Sequence, residues 1–291
     1  MKTVLITGSK GQLGSEIHKL SSNYKYFNFI FTDVLELDIT NESQVFDFYE
    51  KNKFDFIVNC AAYTAVDKAE TDFEFAKKIN IIGVKNLAKL SSEKKIPIIH
   101  VSTDYVFDGH AFIPYKETDK TNPNSAYGNT KLLGEKELQN IENHIIIRTS
   151  WLYSSFGNNF VKTMFRLGNQ RESLNVVFDQ VGTPTYAEDL AKVILHIIQL
   201  SANDINSFKS GIYHYSNEGV CSWYDFAVEI MKVTKTDCKI FPIETKDYPT
   251  PAKRPNYSLL NKSKIKNTFQ ISIPHWADSL KKCILEISKN A

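Results

Sequence analysis

Along the first half of the chain, short runs of consecutive apolar residues alternate with longer stretches in which apolar positions recur every three or four residues. The runs at residues 3–7, 26–32, 54–62, 96–101 and 145–148 predict parallel strands buried on both faces, which have no polar side to show. Between them, helical spacing predicts helices at 16–20, at 42–51 behind a cap at Thr40 or Asn41, and a long helical region from 63–70 through 89. This alternation predicts an α/β fold, a Rossmann-type doubly wound parallel sheet. After residue 150 the alternation weakens, and helical spacing returns at 189–200, at 223–233 and from His275, with polar, proline-spaced chain before the last. The expected division is a larger, doubly wound domain of residues 1–150 plus about 180–205, and a smaller α+β domain of about 151–179 plus 206–291 at the C-terminal side of the sheet.

With 42% hydrophobic and 23% charged residues, the 291-residue chain has the composition of a globular protein able to bury one large core or two smaller ones. The formal net charge is only +2 and no basic run interleaves with aromatics, so the expected partner is a small molecule and not a nucleic acid. No apolar run approaches a membrane span, and Met1 leads straight into a strand instead of a signal peptide. Cys60, Cys221, Cys238 and Cys283 are scattered without a C-x-x-C pair, the pattern of reduced thiols in a cytoplasmic protein.

The candidate chemistry lies where the predicted strands end. The first strand empties into Gly8, Gly11, Gln12, Leu13 and Gly14 ahead of a helix, whose amino-terminal N–H groups and dipole suit a pyrophosphate. Glycines spaced G-x-x-G-x-x-G, in place of the G-x-G-x-x-G of simple dehydrogenases, resemble the short-chain dehydrogenase/reductase superfamily. Asp33 ends the second strand, where a carboxylate accepts from a ribose diol and repels a 2′-phosphate, favouring NADH over NADPH. Ala61 and Ala62, followed by Tyr63, end the third strand in small residues that allow a cofactor close to the backbone. Thr103 is delivered to the same crevice by the fourth strand. Tyr127 and Lys131, four apart, share one face if their segment is helical. A hydroxyl and a phenol there can hydrogen-bond a substrate oxygen, while the lysine holds the phenol's pKa down.

Longer phrases narrow the resemblance. They are residues 61–70 (AAYTAVDKAE) and 102–109 (STDYVFDG), then Arg148-Thr149-Ser150-Trp151 and Gly157-Asn158-Asn159-Phe160. Asp179-Gln180 with Gly182 and Pro184-Thr185, and Arg254-Pro255 with Ser258, complete the set. Together they resemble the dTDP-4-dehydrorhamnose reductase family over essentially the whole chain. That resemblance implies NADPH or NADH delivering hydride to C4 of dTDP-4-dehydro-L-rhamnose, with Tyr127 protonating the alkoxide, Thr103 polarising the carbonyl and Lys131 lowering the phenol pKa. It further implies that Asp38 and Ile39 flank the adenine, that Val66, Asp104, Tyr105 and Trp151 lie along the sugar of a dTDP-sugar substrate, and that Asn159, Arg166 and Arg254 lie toward its nucleotide. In some members a metal bridges a homodimer through glutamates, and the matching positions, Glu16, Glu188 and Glu286, imply Mg2+ at a dimer interface.

Two other readings share these motifs. Nucleotide-sugar epimerases and dehydratases have the same glycine pattern and Tyr-x-x-x-Lys, but dehydratases follow the strand-end Thr-Asp with a glutamate acid, where this chain has Tyr105. A non-catalytic subunit resembling the regulatory subunit of methionine adenosyltransferase would keep the fold without turnover.

Overall fold

The structure is a computed structural model and describes residues 1–289. In chain order, the first half runs β1 (Lys2–Thr7), α1 (Gln12–Ser21), β2 (Phe27–Thr32), α2 (Glu42–Asn52), β3 (Phe56–Asn59), α3 (Phe73–Lys77), α4 (Val84–Lys94), β4 (Ile98–Thr103), α5 (Ala126–Gln139) and β5 (His144–Thr149). The second half adds β6 (Leu152–Tyr153), α6 (Phe160–Gly168), β7 (Ser173–Val177), β8 (Val181–Gly182), β9 (Thr185–Tyr186), α7 (Ala187–Asn203), β10 (Gly211–His214), β11 (Cys221–Ser222), α8 (Trp223–Thr234), β12 (Lys239–Ile243), α9 (Ser263–Phe269) and α10 (Trp276–Lys289).

Six strands form one parallel sheet in the order β10-β5-β4-β3-β1-β2. Successive strand residues point to opposite faces, so Val4 and Ile6 join one core with Ile17 of α1 and Leu190, Ile194 and Ile197 of α7. Leu5, between them, joins the other core with Val45 of α2, Leu87 of α4 and Leu138 of α5. Each such fully buried aliphatic side chain is worth about 1.5–3 kcal/mol, and helices on both faces are why these strands read as unbroken apolar runs. The order reverses between β1 and β3, and a crevice at the carboxyl ends of the strands is expected at that switch point.

The fold differs from expectation in two places. Residues 211–214, assigned by sequence to the second domain, are the sixth strand of the large sheet and pair with β5. The run is four residues long, too short to signal a strand by itself, and packing from α9 completes it, with Phe269 against Tyr213 at 5.2 Å between ring centroids. The helical stretch expected from 63–70 through 89 is broken into a 3-10 turn at Lys68–Glu70, α3, a π-helical segment at Lys78–Gly83 and then α4. A π segment often marks a functional site, and here it carries the buried Asn80.

The smaller part of the molecule packs α6, α8, α10 and β7 around Tyr153, Phe226, Ile230, Trp276 and Leu280. Its strands form two-stranded ladders: β7 with β12 and β6 with β9 in parallel, β8 with β11 antiparallel. Among the described residues no helix is long and apolar enough to cross a membrane.

Candidate active site

The turn after β1 is built for close approach. Gly8 has φ +64°, and a Cβ there would stand 2.6 Å from the Ala61 backbone nitrogen, while one on Gly14 would stand 2.4 Å from the Gly8 carbonyl oxygen. Helix α1 begins at Gln12 with Gly11 as its cap residue, no side-chain cap and no acidic residue in its first turn. Its first N–H groups, those of Gln12, Leu13 and Gly14, therefore face outward with a positive end, a donor set that fits a pyrophosphate. Beside it, Asp33 accepts from the Lys10 N–H at 3.2 Å and from the Val34 N–H at 2.8 Å. Asp38 is engaged in its own turn, accepting from the N–H and hydroxyl of Thr40, and the Ile39 side chain is buried in the core. Asn80 grips Tyr63 from both sides, accepting from its N–H at 2.9 Å and donating to its carbonyl at 3.1 Å, and reaches Thr130 of α5 at 3.1 Å.

Across the crevice, Ser125 caps α5 by accepting from the Gly128 N–H at 3.1 Å, which places Tyr127 in the first turn and Lys131 one turn on. Gly128 allows that turn to lie against the strand end, since a Cβ on it would meet the Tyr105 carbonyl oxygen at 2.2 Å. Thr103 closes β4, donating to Asp104 Oδ1 at 2.9 Å and accepting from the Tyr105 N–H at 3.2 Å. Tyr105 and Tyr127 meet edge-to-face at 5.5 Å. Burial pushes the Tyr127 phenol well above its ordinary value, with the Thr103 hydroxyl pulling the other way and Asp104 and Tyr105 adding to the rise. Burial likewise lifts Asp104 to about 6 and Tyr105 to about 12, the latter against the opposing Arg254 charge.

Lys131 differs from expectation. Its ammonium donates to the Val101 carbonyl at 2.8 Å and lies 3.3 Å from His100 Nε2. Burial brings it down to about 8, although Glu135 acts to raise it. The expected depression of the Tyr127 pKa is therefore not found in this arrangement: desolvation dominates the phenol, and Lys131 is turned toward β4.

A family model described as the RmlD substrate binding domain matches residues 1–289. The chain belongs to that family. It is 43% identical over 288 residues to a dTDP-4-dehydrorhamnose reductase of Aggregatibacter actinomycetemcomitans, covering 97% of this chain and 98% of the relative. It is 40% identical to the Escherichia coli K12 protein of the same name, covering 98% and 97%. A crystal structure of a dTDP-4-dehydrorhamnose reductase from Bacillus anthracis, in complex with NADP, superposes with a TM-score of 0.93 at 38% identity, over 98% of this chain and all of that one. A Clostridium acetobutylicum ortholog superposes at 0.92 and 46% identity, over 98% and 99%.

The positions that sequence linked to the family's sugar and nucleotide take several settings. Trp151 adopts φ +48°, an uncommon backbone state for a bulky residue, and its indole stacks on Trp223 at 3.7 Å. Arg254 pairs with Asp67 at 2.7 Å and donates to the Tyr105 hydroxyl at 3.3 Å, beside the half-buried Val66. Asn159 caps α6 through the Lys162 N–H and donates to Gln12 Oε1 at 3.0 Å, tying the second part of the chain to the glycine turn. Arg166 is exposed on α6.

Glu16, Glu188 and Glu286 converge, but around a cation of the chain itself. Lys19 donates to Glu188 and to Glu286 at 3.0 Å each, while Glu16 is buried and accepts from Ser154 at 2.6 Å. Among the described residues no group of three or more His, Cys, Asp or Glu is arranged to hold a metal ion. The Lys19 ammonium lies between two of the three carboxylates that the Mg2+ expectation names.

Sequence reasoning missed Trp223, Asp67 and Asn80, and beneath the site a buried layer of Asn59, His100, Glu135 and Arg148. Arg148 forks onto Glu135, with Nη2 to Oε2 at 2.7 Å and Nε to Oε1 at 3.0 Å, and Ser102 donates to the same carboxylate. Arg148 at the end of the predicted buried strand 145–148 was the available signal, since such a group is rarely buried unpaired.

Proposed function

We propose that the chain reduces the C4 keto group of dTDP-4-dehydro-L-rhamnose with NADPH or NADH, giving dTDP-L-rhamnose. The observation that carries the reading is that one parallel sheet brings the uncapped glycine turn after β1 and the Thr103 and Tyr127 hydroxyls after β4 to the same carboxyl edge. Gly8, Gly11, Gln12, Leu13, Gly14, Asp33, Ala61, Ala62 and Tyr63 would hold the coenzyme, with Asp38 and Ile39 at its adenine end. The bound nicotinamide supplies the hydride.

The rest falls to this chain's own groups. Tyr127, protonated at neutral pH as an ordinary phenol is and held so by burial, is the group that would give its proton to the C4 oxygen. Thr103 fixes that oxygen by a hydrogen bond, and Lys131 charges the site from beneath. Trp151, braced by Trp223, offers an apolar face to the 6-deoxy edge of the sugar, beside Val66, Asp104 and Tyr105. Arg254, already aimed by Asp67, would fork onto the diphosphate with Arg166 and Asn159 nearby. The coenzyme lies in the part comprising residues 1–150 plus about 180–205, whose sheet β10 completes, and the rest carries the nucleotide sugar. Four unpaired cysteines support a cytoplasmic setting. A homodimer completes the reading, and light scattering measures its mass.

The test follows nicotinamide absorbance with dTDP-4-dehydro-L-rhamnose generated in the cuvette. Wild type should oxidise the coenzyme only when sugar is present, and Tyr127→Phe should lower kcat by roughly 10²–10⁴. Folded wild-type protein that oxidises neither NADPH nor NADH would sink the reading.

A further inference from the structure

Beneath the crevice a row of buried polar side chains crosses three strands. The parallel register pairs Thr7 with Asn59 and Asn59 with His100, and all three residues are fully buried or nearly so. Asn59 Oδ1 accepts from the Ala61 backbone N–H at 3.1 Å and from the Thr7 hydroxyl at 2.7 Å. A backbone N–H can only donate, so the amide oxygen must lie on that side and the amide NH2 on the other. The NH2 points at His100 Nδ1, 3.0 Å away, which must therefore be the lone-pair nitrogen. Burial first, and Lys131 second, hold the imidazole neutral, so its single ring proton is on Nε2. Nε2 is the atom that faces Lys131.

We propose that His100, locked by Asn59 as its Nε2–H tautomer, is a positioning residue that presents a proton to Lys131 and so opposes the charged form of that amine. A neutral amine can accept this hydrogen bond, whereas an ammonium meets donor with donor and keeps only the Val101 carbonyl of the two. The other groups around Lys131 do not cancel the effect. On β3 the Cys60 thiol is itself pushed up to about 12 by burial and stays protonated. On α5 the Tyr127 phenol is neutral, and Glu135 is committed to Arg148 of β5 and Ser102 of β4. His100 thereby disfavours the charged form of Lys131 in addition to the cost of its burial.

The inference rests on the reductase reading only for its kinetic arm. The first test needs no turnover: nitrogen-15 NMR of the full chain labelled at histidine, with the His100 resonances identified by their loss in His100→Gln. A pyridine-type Nδ1 and a pyrrole-type Nε2 are expected, and the reverse pattern overturns the proposal. The second test uses Asn59→Asp, whose carboxylate accepts from Nδ1–H and so turns Nε2 into an acceptor for the ammonium. The alkaline limb of kcat/KM for the dTDP-4-keto sugar should move up by about one pH unit, tenfold in proton affinity. The same substitution in a His100→Gln background measures the direct effect of the new charge, and equal shifts in the two backgrounds overturn the proposal. The expected tautomer in a protein without turnover on the keto sugar would sink the reductase reading and leave the tautomer lock standing.

Discussion

Lys131 and Lys19 each stand near glutamates and finish in opposite electrostatic states. Lys131 is 2% exposed, and its nearest carboxylate, Glu135, is held by Arg148 and Ser102, so desolvation wins and the amine falls to about 8. Lys19 keeps about a third of its side chain in solvent; partial burial works against its charge, but Glu286 and Glu188 bond it directly and hold it above an ordinary lysine. The difference is made by which partner takes the carboxylate. Arg148, with a planar fork and a fixed charge, out-competes Lys131 for Glu135 and leaves the lysine unneutralised. The crevice is thus kept in a state that costs stability, while the Lys19 cluster is arranged to relieve its own charge.

The sharpest way to break that contrast is Lys131→Met. It should lower kcat/KM by roughly 10²–10⁴ while raising stability at neutral pH by on the order of 2 kcal/mol. The sign follows from the lowered pKa. The unfolded chain binds the Lys131 proton more tightly, so the cost is fully present below about pH 8 and disappears as pH rises toward the unfolded lysine value. Urea melts at neutral pH and near pH 10 should therefore show a gain that fades. A loss of stability at neutral pH would mean that Lys131 is not the unneutralised charge described here.

Asp104 sharpens the same point with a smaller effect. Its carboxyl is raised to about 6 by burial, so stability is lost as pH rises through the window from about 4 to 6. Asp104→Asn keeps an acceptor for Thr103 and turns an N–H toward the buried Ser258 hydroxyl, which bears on the Asp104 carboxylate and lowers its pKa against the effect of burial. The variant should melt higher at about pH 7.5, by about 1–3 kcal/mol, and no higher at about pH 4. Equal gains at both values would point to packing and away from charge.

What could be read in advance was the local part of this design. Gly8 to Gly14, and Tyr127 with Lys131, act through neighbours a turn apart, so their spacing carries their meaning. The strands of the first half were legible because burial on both faces removes polar positions. His100, Asn59 and Thr7 were not, because their contacts exist only through a register that joins residues 41 and 52 apart. Trp223 on Trp151 forms within the second part, between residues 72 apart, and Asp67 on Arg254 is a product of the second part folding over the first. Lys19 shows the limit most plainly. A family pattern pointed to Glu16, Glu188 and Glu286, and they do come together, but nothing in their spacing announced the ammonium between them.

Lys19→Met is the smallest of these perturbations and the one that isolates the second half of the comparison. It leaves Glu188 and Glu286 without their shared cation, although Lys192 still holds Glu188 at 2.6 Å and Lys289 still holds Glu286 at 2.9 Å. With the Lys19 side chain a third exposed, the loss should be no more than about 0.5–1 kcal/mol at neutral pH. It should shrink in high salt, and also as pH falls and protonates Glu188 and Glu286, whose pKa values lie below the ordinary carboxylate range. Because Lys19 touches neither Thr103 nor Tyr127, kcat/KM should stay within about twofold of wild type. A tenfold fall in kcat/KM would show that this cluster is coupled to the crevice and that the two lysines do not belong to separate designs.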